Sequence, residues 1–253
     1  MPITNFLLAM PLVCAHAIFA QSPTIGLTVL VYIFLIIFFL LAILFWEIIV
    51  SEGTHLGKRF VVWLYDLAAN KYERIKQFDN QWEQQFLAKP VAQVLGSLED
   101  PMVLDVGAGT GRLAKGLFQL PDMRAKVICL EPSLKMGRIG RNRTPDNDAE
   151  WVRAWAVPLP FPDSSFDLVS SLEILEFTPD PHETLAEMAR VLRPDGYLLI
   201  TNRVGREARW ILGKTFSRKE FPDILEQAGF DAVEVFPWQV TYDLVWARRR
   251  GRA

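Results

Sequence analysis

The first 46 residues contain no Asp, Glu, Lys or Arg. The titratable side chains in that stretch are Cys14, His16 and Tyr32, and formal charge begins only at Glu47. A stretch with no charge has no solvated face to offer, so the chain divides into a membrane part and a soluble part. Cysteine is scarce as well. Cys14 and Cys129 give neither a disulfide framework nor the spacing of a metal site, and the soluble part suits a reducing compartment. The net charge of −2 and pI near 6.0 exclude the strong positive field that gathers nucleic acid. One local exception is the basic run Arg248–Arg250 with Arg252. It reads either as a solvated tail or as a contact to anionic lipid, where each cation contributes about 1 kcal/mol. Internal repeats and low-complexity tracts are also lacking.

What is present begins with a long apolar run, Ile25–Trp46. A helix needs about 20 residues to cross a bilayer, and a surface helix would show a polar face that this run lacks. Trp46 ends it, where an indole prefers the headgroup region. The run therefore predicts a transmembrane helix. Phe6–Ala20 is a second apolar segment. It reads as a signal core with Ala15-His16-Ala17 at a cleavage site, or as a Pro-interrupted second span. With no positive residue ahead of it, a membrane-embedded or interfacial segment is favoured, making the anchor single-pass or two-pass. Lys58, Arg59, Lys71, Arg74 and Lys76 all follow the span, which puts the soluble part in the cytoplasm.

Leu56, Phe60, Val61, Leu64, Leu67 and Ala68 recur at helical spacing. This predicts a helix either packed on the soluble domain or lying in the interface with Trp63 and Tyr65 at headgroup depth. The expected organisation is an anchor over residues 1–50, an interfacial or lid region over 51–90, and a catalytic domain over 91–253.

From Pro101 onward, apolar β-type runs alternate with helical patterns. Strands are expected at Met102–Val106, Ala125–Leu130, near Ala149–Ala154, at Phe166–Ser171 and Tyr197–Asn202, then near Ala232–Phe236 and Thr241–Ala247. Helices are expected at Arg112–Leu117, Pro132–Gly140, Pro181–Leu192 and Arg218–Ala228, the third stopped by Arg193-Pro194-Asp195-Gly196. That order predicts an α/β domain: a Rossmann-like, seven-stranded, mostly parallel sheet with helices on both faces, preceded by the transmembrane helix.

The first strand leads into VLDVGAGTGRLA at 103–114. Gly107, Gly109 and Gly111 let the backbone turn sharply and approach a ligand. The amides opening the following helix attract an anionic group. Asp105 would repel a pyrophosphate but can receive a cationic amino group. Glu131 closes the second strand, where a carboxylate can accept both hydroxyls of a ribose. Arg112 stands where G-x-G-x-x-G would have its third glycine, which argues against a nucleotide-dependent oxidoreductase.

With VICLEPS at 127–133, PLPFPDSSFDLVSSLEIL at 158–175 and EMARVLRPDGYLLIT at 187–201, the chain resembles the class I S-adenosylmethionine-dependent methyltransferases, in the branch containing quinone-biosynthesis C-methyltransferases. The resemblance spans about Tyr65 to Arg248. It implies that Asp105, Gly107, Ala108 and Gly109 surround the methionine part of the cofactor, that Glu131 holds its ribose, and that Pro132, Ser133 and Ala156 meet the adenine. It places Ser171, Leu172 and Glu173 where donor methyl and acceptor meet, Glu173 being the candidate base. LYDLAANKY at 64–72 resembles the family's lid, with Tyr72 closing over the site. Trp155 replaces a usual acidic or polar residue, and Phe177 a frequent His. His182 reads as a surface residue. The acceptor pocket is expected from Tyr72–Phe86 and Val204–Phe216.

Methyl transfer is an in-line displacement that chiefly needs alignment and exclusion of water, with a base only for a hydroxyl or acidic-carbon acceptor. The function this implies is a membrane-anchored methyltransferase using S-adenosylmethionine on a small-molecule or lipid acceptor held at the bilayer. A methyltransferase-like membrane scaffold is the alternative.

Overall fold

The computed structural model describes residues 23–121, 123–144 and 149–251, and the chain falls into two compact units divided after Ile48. In the first unit, helix α1 (Pro23–Phe45) starts on a proline, whose missing N–H costs nothing in a first turn. From Gly26 to Phe45 its side chains are all exposed. Leaving Leu, Ile and Phe in water forgoes roughly 1.5–3 kcal/mol each, so the helix carries a continuous apolar surface. Its length of about 34 Å matches the roughly 30 Å bilayer core. The helix is thus long and apolar enough to cross a membrane. The second apolar segment, Phe6–Ala20, lies outside the described residues.

The second unit opens with four short helices: α2 (Lys58–Ala68), α3 (Tyr72–Lys76), α4 (Asn80–Glu83) and α5 (Lys89–Leu95). Seven strands follow: β1 (Met102–Val106), β2 (Lys126–Leu130), β3 (Ala149–Val152), β4 (Phe166–Ser171), β5 (Leu192–Arg203), β6 (Phe230–Trp238) and β7 (Tyr242–Arg249). They form one sheet in the order β3-β2-β1-β4-β5-β7-β6, parallel except for β7, which runs antiparallel to both its neighbours. Helices α6 (Arg112–Phe118), α7 (Leu134–Arg141), α8 (Pro181–Val191) and α9 (Phe221–Gln227) complete the unit. This is the expected Rossmann-like sheet.

Successive strand residues feed opposite faces. Leu104, Val106, Val169, Leu198 and Ile200 enter one core, while Val103, Leu168 and Leu199 enter the other. Helix starts follow their caps. Ser133 accepts the Met136 amide at the head of α7, and Asp180 accepts those of His182 and Glu183 ahead of Pro181 in α8. His182 is exposed, its ring 5.2 Å from that of Phe216.

Three expectations need correction. The strand expected from Tyr197 begins at Leu192, directly after the helix ends at Val191 and ahead of Arg193-Pro194-Asp195-Gly196. Phe166 pairs with Leu192 and Leu168 with Tyr197, so the tetrapeptide bulges out of β5. The helix expected from Arg218 begins only at Phe221, because Pro222 fits a first turn and no later position. Finally, Arg248 donates to Asp195, and Arg249 to Ser164 and the Leu192 carbonyl. Those two arginines bind the domain and are not free for lipid.

Trp151 of β3 fills the space over α7, its indole N–H donating to Thr144. A Cβ on Gly140 would fall 2.0 Å from that ring. Gly140→Ala should therefore cost about 1–3 kcal/mol by overpacking, despite alanine's better helix propensity. Differential scanning calorimetry should show the melting point several degrees lower; an unchanged melt would contradict this packing.

Candidate active site

At the carboxyl ends of β1, β2 and β4, where open α/β sheets bind ligands, lies a part-open cavity lined by both polar and apolar side chains. Its floor is the turn after β1. Gly107, Gly109 and Gly111 have φ of 72°, 57° and 81°, a region that penalises a Cβ. At Gly107 the need is also steric, since a Cβ would lie 2.6 Å from Ile174 Cγ2. The Gly107 and Ala108 amides donate to the Leu130 carbonyl at 2.8 and 3.1 Å, tying the turn to the end of β2.

Glu131 locks this arrangement. Its Oε2 accepts the Gly109 amide at 2.9 Å, and its Oε1 accepts the Ser133 amide at 2.7 Å. The carboxylate thus bridges the turns after β1 and β2 while lining the cavity. Burial pushes its pKa up to about 7 against those two hydrogen bonds. Asp105 is buried beneath the turn and accepts the Ser170 hydroxyl at 2.6 Å. Burial lifts its pKa to about 6, opposed by Ser170 and Arg112.

Helix α2 covers the cavity with Lys58, Val61, Val62 and Tyr65, followed by Tyr72. Asp66 fastens it to the start of α7, accepting the Ser133 hydroxyl at 2.5 Å and the Lys135 amide at 3.1 Å. Tyr65 lies edge-on to Phe177 at 5.7 Å and 6.0 Å from Tyr72, giving this side an aromatic wall. The Lys58 ammonium sits 4.8 Å over the Trp155 ring, which lines the wall beside Ala156.

Glu173 follows β4 at φ 59°, with its amide donating to Thr201 at 2.6 Å. Its carboxylate accepts Lys76 at 2.8 Å and Arg112 at 2.7 Å. Arg112 also grips Glu83 through two nitrogens, at 2.5 and 2.8 Å, and lies over Phe78 at 4.3 Å. Burial would raise the Glu173 pKa, but the two cations outweigh it and hold the carboxyl below its ordinary range.

Of the residues singled out in the sequence, Gly107, Gly109, Glu131, Pro132, Ala156, Leu172, Glu173 and Tyr72 line the cavity. Asp105, Ala108, Gly111, Ser133 and Ser171 stand behind its wall. Gly111 supports the turn against Trp151, Ser133 caps α7, and the Ser171 hydroxyl is buried without a hydrogen-bond partner among the described residues. Tyr65 faces the cavity, so the expectation of a headgroup position for it does not hold. No residue of Val204–Phe216 lines the cavity; that segment borders a separate surface concavity. The site roles of Lys58, Lys76, Glu83 and Arg112 went unread in the sequence.

The methyltransferase domain family matches residues 104–200, the stretch that builds this floor. The sheet order, with Asp105 next to the end of β1 and Glu131 directly after β2, agrees with the class I S-adenosylmethionine-dependent methyltransferases. The chain is 32% identical over 156 residues to the ubiquinone/menaquinone biosynthesis C-methyltransferase UbiE of Hahella chejuensis, covering 60% of this chain and 61% of that protein. It is 33% identical over 137 residues to the demethylmenaquinone methyltransferase of Renibacterium salmoninarum, covering 54% and 56%. The chain therefore matches less than two thirds of either relative's length. Among solved structures, a SAM-dependent methyltransferase of Thermotoga maritima, described as a possible histamine N-methyltransferase, shares the fold. Its TM-score is 0.56 at 24% identity, covering 74% of this chain and 98% of that one.

The residues present fit S-adenosylmethionine. The glycine turn leaves room for backbone approach, a buried acid lies under it, and a second carboxylate on the cavity wall offers acceptor oxygens for hydroxyls.

Proposed function

We propose that the protein is a membrane-anchored, S-adenosylmethionine-dependent methyltransferase acting on a planar lipophilic acceptor of the quinone-precursor class. In this reading residues 1–50 form the anchor, 51–90 the lid and 91–253 the cytoplasmic catalytic domain. The observation that carries it is the division of the cavity wall. The glycine turn, flanked by Ile174, and Glu131 line one part of it; Val61, Val62 and the neighbouring rings of Tyr65, Tyr72 and Phe177 line another. The polar side suits the cofactor, and the aromatic side suits a flat apolar ring. The names of the quinone-biosynthesis relatives and the apolar helix α1 support the same choice of acceptor.

Glu131 would take the ribose hydroxyls, and Pro132, Trp155 and Ala156 would flank the adenine. Gly107, Gly109 and Leu172 would border the methionine part, with Asp105 attracting its ammonium from below. Bound there, the cofactor supplies a sulfonium methyl as electrophile. The protein's share is to align the acceptor against Tyr72 and Phe177 and to keep water out under α2. Glu173 is already paired with two cations and held ionised, which makes it a poor proton acceptor. We assign it to anchoring the lid through Lys76, not to general-base work.

Membranes incubated with isotopically labelled S-adenosylmethionine, with and without the enzyme, should yield an enzyme-dependent labelled lipophilic product identifiable by mass spectrometry. Labelling confined to water-soluble acceptors would refute the acceptor class.

The carboxyl assignments also set a pH dependence. Ribose hydroxyls donate to the ionised form of Glu131, whose pKa is about 7 in the ligand-free fold. Binding therefore expels a proton below that pH, and affinity rises as pH climbs through it. Between pH 6 and 7.5 the gain should be on the order of tenfold. Folding runs the other way. The unfolded carboxyl has its ordinary lower pKa, so the folded state binds this proton more tightly, and ligand-free stability falls as pH rises from about 4.5 to 7. Calorimetric titration in two buffers of different ionisation enthalpy measures the released proton. Affinity independent of pH across this window would remove Glu131 from the cofactor site.

A further inference from the structure

The helix that walls the cavity has a second face. Leu56, Arg59, Trp63 and Leu67 follow one another at three- and four-residue spacing along α2 and the turn before it, and all are exposed. Arg74 of α3 extends the row. The acids of this segment are turned towards the domain: Asp66 to Ser133 and Lys135, Glu73 to Thr110 and Arg143. The outward face is left with arginines, an indole and leucines.

A second segment joins it. The 3-10 turn Arg206–Trp210 and the residues after it expose Arg206, Arg209, Trp210 and Leu212. The His55 ring lies 3.3 Å from the Leu212 carbonyl, so this segment abuts the start of α2. Its acid, Glu207, turns to Arg203. Trp63 and Trp210 are 52% and 63% exposed, which is unusual for indoles on a surface meant only for water.

We propose that this face rests on the surface of an anionic lipid bilayer, making α2 a wall shared by the membrane and the cavity. The inference rests on the membrane-anchored reading above. Two observations name the occupant. Arginines beside indoles and leucines match an anionic headgroup layer over acyl chains. Residues 51–57, which separate the candidate span Gly26–Val50 from α2, reach at most about 25 Å when fully extended. A domain tethered that closely cannot leave the surface. A flat lipophilic acceptor then passes from the bilayer to Tyr65 and Phe177 without crossing bulk water.

The test uses the full chain reconstituted in vesicles of phosphatidylcholine alone or mixed with phosphatidylglycerol, each doped with a lipid carrying a diazirine near the headgroup. After irradiation, peptides containing Trp63 and Trp210 should carry label, severalfold more in the anionic vesicles, while β6 peptides stay unlabelled. The double variant Trp63→Ser, Arg209→Glu should lose most of that labelling while binding S-adenosylmethionine as tightly as the wild type. Label confined to α1 would overturn the proposal. So would a concentration-dependent dimer in detergent that protects the Trp63 and Trp210 peptides, which would give the face to a second copy. Labelling does not depend on turnover, so a wrong acceptor would leave it unchanged. Normal turnover of a membrane acceptor without label would refute the docking face alone.

Discussion

Glu131→Gln is expected to weaken S-adenosylmethionine binding about 100-fold, a cost near 2.7 kcal/mol, although the side chain keeps its size. The reason lies in what the carboxylate already does. Both oxygens accept backbone amides, from Gly109 and from Ser133. A carboxamide has one acceptor oxygen and one amino group, so one amide would face a donor. Hydrogen bonds to a charged partner contribute about 1.5–3 kcal/mol, and a buried donor left unsatisfied costs about as much. The turn after β1 would loosen just where the cofactor lies against it, and the ribose would lose an acceptor as well. Glu131→Asp should fare little better, because a shorter side chain cannot bridge contacts of 2.7 and 2.9 Å to two separate turns. In the Gln variant the gain in affinity between pH 6 and 7.5 should shrink to the smaller part that ionisation of Asp105 contributes. Asp105→Asn is the contrasting case. An amide oxygen there still accepts the Ser170 hydroxyl, so the ligand-free protein should melt near the wild-type temperature while affinity falls through the lost charge. Titration calorimetry and thermal melts on the three variants decide this. Glu131→Gln with wild-type affinity would leave the bridging carboxylate without a role in cofactor binding.

How far the sequence disclosed this arrangement depended on whether the determining interaction was local. Strands β1 and β4 were legible to the residue because their apolar runs are short, buried on both faces and bounded by turn residues. The glycine turn and Glu131 were legible because each sits at the end of such a strand. The bulge at Arg193–Gly196 was not, since Pro-Asp-Gly reads as a turn and only the pairing of Leu192 with Phe166 reveals a strand on both sides. Tyr65 was misplaced because the helical pattern of α2 fixes its period but not which face meets the domain. That choice is made by Asp66, whose partners lie 67 and 69 residues away. Arg112 was read only as a missing third glycine. A cation in a helix's first turn opposes the helix dipole, and that local conflict was the available sign of a strong partner elsewhere.

That conflict leads to the second large effect, Arg112→Ala. The Arg112, Glu83 and Glu173 side chains are only 9%, 10% and 5% exposed, and Arg112 reaches both carboxylates. Its removal would leave Glu83 buried without its ion-pair partner and Glu173 with Lys76 alone. Breaking a buried pair costs about 3–5 kcal/mol, a large part of the roughly 5–15 kcal/mol that holds a domain folded. The melting point should drop by about 10 °C or more. The pH dependence identifies the cause. In the wild type, Lys76 and Arg112 lower the Glu173 pKa below its unfolded value, so their stabilisation is present above about pH 4.5 and lost as pH falls through the lower, folded value. The variant lacks much of that contribution. Its deficit should be greatest at neutral pH and shrink towards pH 4, where protonation removes the need for a cation. Arg112→Ala combined with Glu83→Gln should recover part of the stability, because one unpaired charge disappears. Turnover should fall further than cofactor affinity in Arg112→Ala, since Glu173 and Glu83 join the segments carrying Lys76 and Phe78 to the floor of the site. A variant that melts within a degree or two of the wild type at neutral pH would mean that the buried cluster contributes little to holding the fold together.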